Sequence, residues 1–436
     1  MSFQLSESLH TLISSLESSS DNYFITGNAG TGKSTLLKHF REQSQKNVAV
    51  VAPTGVAAVN VSGETIHSFF KFAPNVNPAL AAAEAKNTRQ PKLYQSLDTL
   101  IIDEISMVRA DLVDAIDQYL RTVRHSTLPF GGVQIIMFGD LFQLPPVVTD
   151  VEKPMIQQNY DTPFFFSSQV IKNLDQNILT RLHVVKLDKI HRQTDEKFIN
   201  LLNRIRNSQT TEDDLYQINR QLLSDGEYSN KHIILTAVNA QADLINQKRL
   251  SEIPGNLSVY RSVVSGDFNQ NASPAPSEVI LKTGARVMLL NNDPDDRWIN
   301  GTLGTAYSIN STQVTVKLDD GETVNVSPVT WTSYKNVINP ETGKLELKES
   351  GSVKQMPLKL AWAITIHKSQ GKTFEDVIID FGRGAFAHGQ AYVALSRCTR
   401  LSGIKLIRPL QTSDIIFDPR VSQFFSQSQS DVMTIE

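Results

Sequence analysis

The chain has 436 residues, 40% of them hydrophobic and 20% charged, which supplies apolar material for two or three cores. Its formal net charge of −3 excludes a globally basic, polyanion-coating protein, so any nucleic-acid surface must be local. A single cysteine, Cys398, excludes an internal disulfide framework; with no signal-peptide pattern in MSFQLSESLH and no run of about 18 apolar residues, an intracellular protein without a membrane span is expected.

In chain order, Leu5, Leu9, Leu12, Ile13 and Leu16 recur at helical spacing. The apolar strand Tyr23-Phe24-Ile25 then empties into Gly27-Asn28-Ala29-Gly30-Thr31-Gly32-Lys33-Ser34, and Leu36 to Phe40 reads as a helix. Strand, G-x-x-x-x-G-K-[ST] and helix, in that order, form a phosphate-binding loop. Its glycines let the backbone point N–H groups at phosphate oxygens, which the helix N-terminus also attracts. Lys33 reaches the β- and γ-phosphates in such a loop, and the Ser34 hydroxyl ligates Mg²⁺.

A second apolar strand, Val48 to Ala52, ends in Pro53-Thr54-Gly55 and leads to the helix-like Val56 to Val59. Residues 71–97, with Pro74, Pro78 and Pro91 around a polar, Ala-rich run, read as an insertion without strands. Thr99 to Glu104 and Gln134 to Asp140 are two further buried strands flanking a helix at about 109–124. Apolar strands alternating with helices specify a parallel α/β sheet, whose ligands bind at the carboxyl ends of the strands. A second such series begins near residue 180 with Val184 to Leu187, adds His232 to Thr236, and resumes at Asp376 to Asp380. Between them lies a β-rich block at about 297–357, where Val314, Val316 and Leu318 alternate, Asp319-Asp320-Gly321 turns, and Val324 and Val326 alternate again. Gly301 and Gly304 suit tight turns in a small barrel. From about residue 421 a Ser/Gln-rich stretch reads as a loose tail.

Asp103-Glu104 closes an apolar strand, where one carboxylate can hold Mg²⁺ and the next can take a proton from water. Gln143 follows another strand end, placed either to sense a γ-phosphate or simply to be solvated. Pro145-Pro146 stiffen that loop and either support a base or end the strand. Arg192 and Arg397 are candidates for positive charge brought from the second α/β series, which has no phosphate loop of its own; taken singly, each reads as a surface ion-pair residue. From 351 to 408 nine basic residues face three acidic ones, a local phosphate-facing groove or a solvated basic face. His67, Phe69 and Phe70 combine polar and aromatic character as strand-stacking platforms do, or they pack a core.

Together these motifs resemble the Pif/RecD-like helicases of superfamily 1B. The matching stretches are GNAGTGKST (27–35), APTGVAAVNVSGETIHSFF (52–70), LIIDEISMV (100–108), FGDLFQLPPV (138–147), KIHRQTDEKFINLLNRIR (189–206), LAWAITIHKSQGKTF (360–374) and AYVALSRCTR (391–400). They occur in family order and span nearly the whole chain. The resemblance implies two RecA-like parallel-sheet domains, over 1–70 with 98–178 and over 179–295 with 358–436. It further implies a strand-separating wedge at 71–97 and a small SH3-like barrel at 296–357. ATP and Mg²⁺ are the implied cofactors. Gly27 to Thr35 and Gly371 bind ATP, Ser34 and Asp103 hold the metal, Glu104 is the base, Gln143 couples the γ-phosphate to domain movement, and Arg192 and Arg397 are arginine fingers. Thr54, His67, Ser68, Phe142 and Pro145 are the implied strand contacts of the first domain; Thr236, Asn239, Thr365, His367 and Lys368 are those of the second.

The implied activity is 5′-to-3′ translocation on single-stranded DNA with unwinding of duplexes in replication, repair and recombination. The implied partners are single strands, single-strand/duplex junctions, G-quadruplexes and RNA–DNA hybrids, met by a monomer in the bacterial cytoplasm at the nucleoid. A nucleotide-gated strand-binding switch without processive unwinding is the alternative. Two positions depart from the family: the N-terminal adenine-reading glutamine is replaced near Leu9-His10, with Gln4 upstream, and His191-Arg192-Gln193 stands where Phe-Arg-Gln is common.

Overall fold

The computed structural model describes residues 6–28, 30–174, 181–188, 195–224, 232–427 and 432–435. The first domain is built on seven parallel strands. They are β1 (Asn22–Gly27), β2 (Val48–Ala52), β3 (Glu64–Thr65), β4 (Thr99–Ile102), β5 (Gln134–Gly139), β6 (Leu182–Leu187) and, from the far end of the chain, Val432–Ile435. The phosphate-loop strand β1 lies between β5 and β6. Alternate residues of the apolar runs feed opposite faces, as the period of a strand requires. Ile25, Val50, Ile101 and Ile136 meet the helices Glu7–Ser18 and Lys33–Gln43. Phe24, Val51, Leu100 and Ile135 meet the helix Ala110–Arg124 on the other side.

Two expectations change here. The strand at Val184 to Leu187 is β6 of the first sheet, pairing with β1 from Asn22↔Leu182 to Gly27↔Leu187, so the division expected at 178/179 falls one strand too early. Its apolar run is equally suited to either sheet, and only pairing decides. The expected loose tail is instead the helix Pro419–Gln427 followed by the strand Val432–Ile435, which pairs with β6. Phe424 stacks on Phe166 at 4.7 Å and Phe425 on Phe142 at 5.5 Å. The surrounding Ser and Gln residues hide these two aromatics in any composition average.

Residues 71–97 carry no strand, as expected, but two helices, Pro78–Lys86 and Pro91–Gln95. The first starts where the Asn77 side chain accepts from the Leu80 N–H at 2.9 Å and Pro78 fills the first turn. Tyr94 anchors the second, packing against Phe69, Phe70 and Tyr119 and donating its hydroxyl to the Phe69 carbonyl at 2.7 Å. Phe69 and Phe70 are thus core residues, 1% and 0% exposed, and not stacking platforms.

The second domain has a four-stranded parallel sheet that begins with β7 (Ile233–Thr236). Its helices include Glu196–Arg206 and Gln390–Leu395. An all-β module then interrupts it. Its strands are β8 (Ser258–Arg261), β9 (Val263–Gly266), β10 (Glu278–Leu281), β11 (Arg286–Leu289), β12 (Leu303–Ile309), β13 (Val314–Leu318), β14 (Thr323–Val326), β15 (Val329–Ile338), β16 (Leu345–Gln355) and β17 (Leu358–Leu360). Five of them form one antiparallel sheet in the order β14-β13-β12-β11-β17. The module therefore begins well before the expected residue 296; four short strands among polar residues gave little alternation to read. The parallel sheet resumes with β18 (Ala363–Thr365), β19 (Val377–Asp380) and β20 (Ile404–Leu406).

The β15–β16 hairpin is the longest in the molecule described, and its tip reaches the first domain. Glu64 Oε1 accepts from the Asn336 backbone N–H at 2.8 Å and from Asn336 Nδ2 at 2.9 Å, both residues being buried. The Leu345 N–H donates to Asn47 Oδ1 at 3.0 Å, and Ile338 and Leu345 pack on the first domain's core. Among the described residues no helix is long and apolar enough to cross a membrane.

Candidate nucleotide site and strand-facing residues

The phosphate loop leaves β1 at Gly27, where a Cβ would lie 2.6 Å from both the Leu187 carbonyl and Thr31 Oγ1, so only glycine fits. Gly30 and Gly32, at φ 87° and 85°, take the left-handed turns that curl the loop. Gly32 precedes the helix Lys33–Gln43 without a side-chain cap, so the first-turn N–H groups face the loop uncapped. Lys33 folds back, its ammonium donating to the Gly27 carbonyl at 2.7 Å and the Asn28 carbonyl at 3.0 Å. Ser34 and Thr35 are exposed on that turn; Ala29 lies outside the described residues.

Asp103 and Glu104 follow β4. Asp103 Oδ1 accepts from the Glu104 N–H at 3.0 Å, and Glu104 holds a left-handed φ of 51°, a strained conformation for a residue with a side chain. Burial, reinforced by Asp103 and opposed by Lys33, pushes the Glu104 carboxyl up to about 7. Burial pushes Asp103 to about 6 against the Glu104 N–H and Lys33. Asp140, at the end of β5, goes the other way. Burial would raise it, but Arg206 and Lys33 hold it below the usual carboxylate range.

The second domain closes the site. Arg206 Nη2 sits 3.0 Å from Asp140 Oδ1, and its guanidinium lies 3.8 Å over the Phe142 ring. Gln143 Nε2 donates to Asp140 Oδ2 at 3.1 Å, while Gln143 Oε1 accepts from Gln370 Nε2 at 2.9 Å. Asn28 Nδ2 donates to Asn203 Oδ1 at 3.2 Å. His388 Nδ1 accepts from the Asp418 N–H, so its Nε2 carries the proton and donates to the Leu141 carbonyl at 2.8 Å. Arg397 is fully buried: Nε donates to the Val393 carbonyl at 3.0 Å, Nη2 to Ser396 Oγ at 2.9 Å and Nη1 to the Lys372 carbonyl at 3.4 Å. Its charge still reaches Glu104. Gly371 is exposed at φ 78°, and Arg192 lies outside the described residues.

The residues expected to face a strand divide into two groups. Asn239 and Lys368 are exposed, and His67, Ser68, Pro145 and His367 are half-buried. Thr54 caps the helix Gly55–Asn60, its hydroxyl accepting from the Ala57 N–H at 3.2 Å. Thr236 and Thr365 are buried, the first donating to the Val238 carbonyl at 3.1 Å and the second capping the Lys368 N–H at 3.3 Å. Phe142 is covered by Arg206, which makes it a platform for a guanidinium rather than for a base. Asp140, Asn203, Arg206 and Gln370 lie inside the family-matching stretches but carry no role in the sequence reading. Asp140 was findable, since it ends an apolar strand as Asp103 does. Arg206 was not: it ends an amphipathic helix, where arginine ordinarily meets solvent.

The protein groups around the loop fit a nucleotide. Thr26 Oγ1, Asn28 Oδ1 and Arg206 Nε are buried with no hydrogen-bond partner among the described residues, beside an uncapped helix N-terminus. For Mg²⁺, Ser34 and Asp103 offer hard oxygen donors.

Two parallel α/β domains meeting over one phosphate loop make this a nucleotide-driven protein of the RecA-like, P-loop class. A PIF1-like helicase family model matches residues 5–215. The ATP-dependent DNA helicase Pif1 of Bdellovibrio bacteriovorus is 34% identical over 94% of this chain and 89% of its own length. The human ATP-dependent DNA helicase PIF1 is 34% identical over 92% of this chain, which spans 60% of the human protein. The crystal structure of Bacteroides sp Pif1 in complex with ADP-AlF4 superposes with a TM-score of 0.89 at 38% identity, covering 98% of each chain. The Bacteroides Pif1 bound to ssDNA, at the same identity and coverage, reaches 0.66. The chain belongs to the PIF1-like helicase family, and its conformation lies nearer the first of those two structures.

Proposed function

We propose that closing of the cleft between the two domains drives this ATP-dependent DNA helicase 5′ to 3′ along single-stranded DNA, opening the duplex ahead. One observation carries the coupling: Asp140 and Gln143 of the first domain are bonded to Arg206 and Gln370 of the second, beside the phosphate loop. Bound ATP–Mg²⁺ supplies the phosphoryl group whose transfer to water drives the cycle. Lys33 exchanges its loop carbonyls for phosphate oxygens, and Ser34 and Asp103 hold the metal. Glu104, poised near neutrality, takes the proton from water. Arg397 and Arg192 bring the positive charge that is worth about 10³–10⁵ in rate in such sites. Gln143, held between Asp140 and Gln370, senses which state the cleft is in.

Asn239, His367 and Lys368 on the second domain, with Thr54, His67, Ser68 and Pro145 on the first, contact the strand. Residues 71–97 act as the wedge, and the all-β module around β11–β14 is the small barrel. The protein works as a monomer at single-strand/duplex junctions, G-quadruplexes and RNA–DNA hybrids, in the cytoplasm at the nucleoid.

Unwinding of forked duplexes with either a 5′ or a 3′ tail, with ATP against other triphosphates, tests this reading. Opening that requires the 5′ tail, and hydrolysis stimulated strongly by single strands, are the expected results. Tight nucleotide-dependent strand binding without duplex opening would establish the gated switch instead.

A further inference from the structure

Three lysines gather where the all-β module meets the second domain. Lys359 on β17 lies opposite Met288 on β11, and residues paired across antiparallel strands project to the same face. Met288 is buried in the second domain's core, whereas its neighbours Val287 and Leu289 fill the module's own core. Lys359 therefore points into the seam. Lys372 comes from the other side: its stem crosses Gly301, where a Cβ would stand 3.6 Å from Lys372 Cγ, and its ammonium donates to Asn300 Oδ1 at 2.6 Å. Lys368, just after β18, completes the group from the exposed edge.

Among the described residues no carboxylate pairs with any of the three, and the partner of Lys372 is a neutral amide. Burial, with Lys372 and Lys368 beside it, pushes Lys359 down to about 7, and burial pushes Lys372 to about 8. Three ammonium groups brought together without a counter-charge repel one another, and an anion between them would reverse that. The Lys372 carbonyl also accepts from Arg397 Nη1, so an anion held here bears on the residue we assign as an arginine finger.

We propose that Lys359 and Lys372, with Lys368, form a subsite for one backbone phosphate of the bound single strand. This rests on the helicase reading above. Lys359, just outside the matching stretch 360–374, and Lys372, within it but given no role there, become strand-positioning residues.

Salt titration of oligothymidylate binding by the full chain tests it, comparing wild type with K359Q, K372Q and the double variant. Each phosphate contact on a single strand contributes about 0.7 to the slope of log affinity against log salt. The double variant should lose about that much slope and bind about tenfold more weakly, while K359R keeps the slope. An unchanged slope in a double variant that melts like wild type overturns the proposal. If K359Q does not fold, K372Q carries the test. Weaker binding of a non-hydrolysable ATP analogue without DNA, with the strand slope intact, gives the lysines to the nucleotide and equally overturns it. A wild-type protein whose hydrolysis ignores single strands sinks the helicase reading first, and is distinguishable because it needs no variant.

Discussion

Arg206 of the second domain and Asp140 of the first form an ion pair at 3.0 Å in which both side chains are almost fully buried. Removing one partner strands the other charge out of water, which costs about 3–5 kcal/mol in such pairs. Arg206→Ala should therefore lower stability in urea by about that amount and slow hydrolysis by about tenfold or more. Arg206→Met with Asp140→Leu should recover much of the stability and none of the rate. A loss below about 1 kcal/mol in the single variant would mean the pair is solvated in solution.

The raised carboxyls of Glu104 and Asp103, at about 7 and about 6, fix a pH dependence. Both hold protons more tightly folded than unfolded. They favour the folded chain at acid pH, and that contribution fades as pH rises through about 6 to 7. Hydrolysis needs the opposite form, so kcat should climb with pH through about 7, and Glu104→Gln should abolish turnover while nucleotide still binds. If Asp103 holds Mg²⁺ as proposed, the ion displaces its proton, so the rise in Tm on adding Mg²⁺ and nucleotide should grow from about pH 5.5 to about pH 8. A pH-independent rise would remove Asp103 from the metal site.

At the hairpin tip, Glu64 satisfies two N–H donors of Asn336 with one oxygen. Glu64→Ala leaves buried donors unpaired, at a cost of about 1–3 kcal/mol to the contact. Spin labels on the β15–β16 tip and on the first domain should then show a longer, broader distance distribution. An unaltered distance distribution would show that the other tip contacts suffice.

Phe424 packs on Phe24, Phe165, Phe166 and Phe425. Phe424→Ala should cost about 2–4 kcal/mol, read as a lower urea midpoint. An effect within about 0.5 kcal/mol would return this segment to the loose tail expected from its composition.

The proposed catalytic half of the site could be picked out in the sequence because its residues are local. Gly27 to Ser34 and Asp103-Glu104 each sit in one short stretch, where strand, loop and helix can be read together. What completes the cleft was not legible from residue chemistry, since Arg206 meets Asp140 across 66 positions and its amphipathic helix gives it no role by itself. The same holds for the sheets. Continuous apolar runs announced β4 and β5, but whether β6 joins the first or the second sheet depends on a partner strand far away. Phe69 and Phe70 show the same dependence: their aromatic character suited a binding surface or a core, and Tyr94 and Tyr119 claim them for packing.

The return of the last strand to β6 has a consequence for how the molecule is made and how it bends. Everything from α-helical Glu196–Arg206 to β20 is, in connectivity, a single excursion out of the first sheet. The edge of that sheet cannot be finished until Val432–Ile435 has left the ribosome, so the nucleotide half does not complete itself before its partner half exists. Two covalent crossings, one after β6 and one before the helix Pro419–Gln427, also tether the halves at two points.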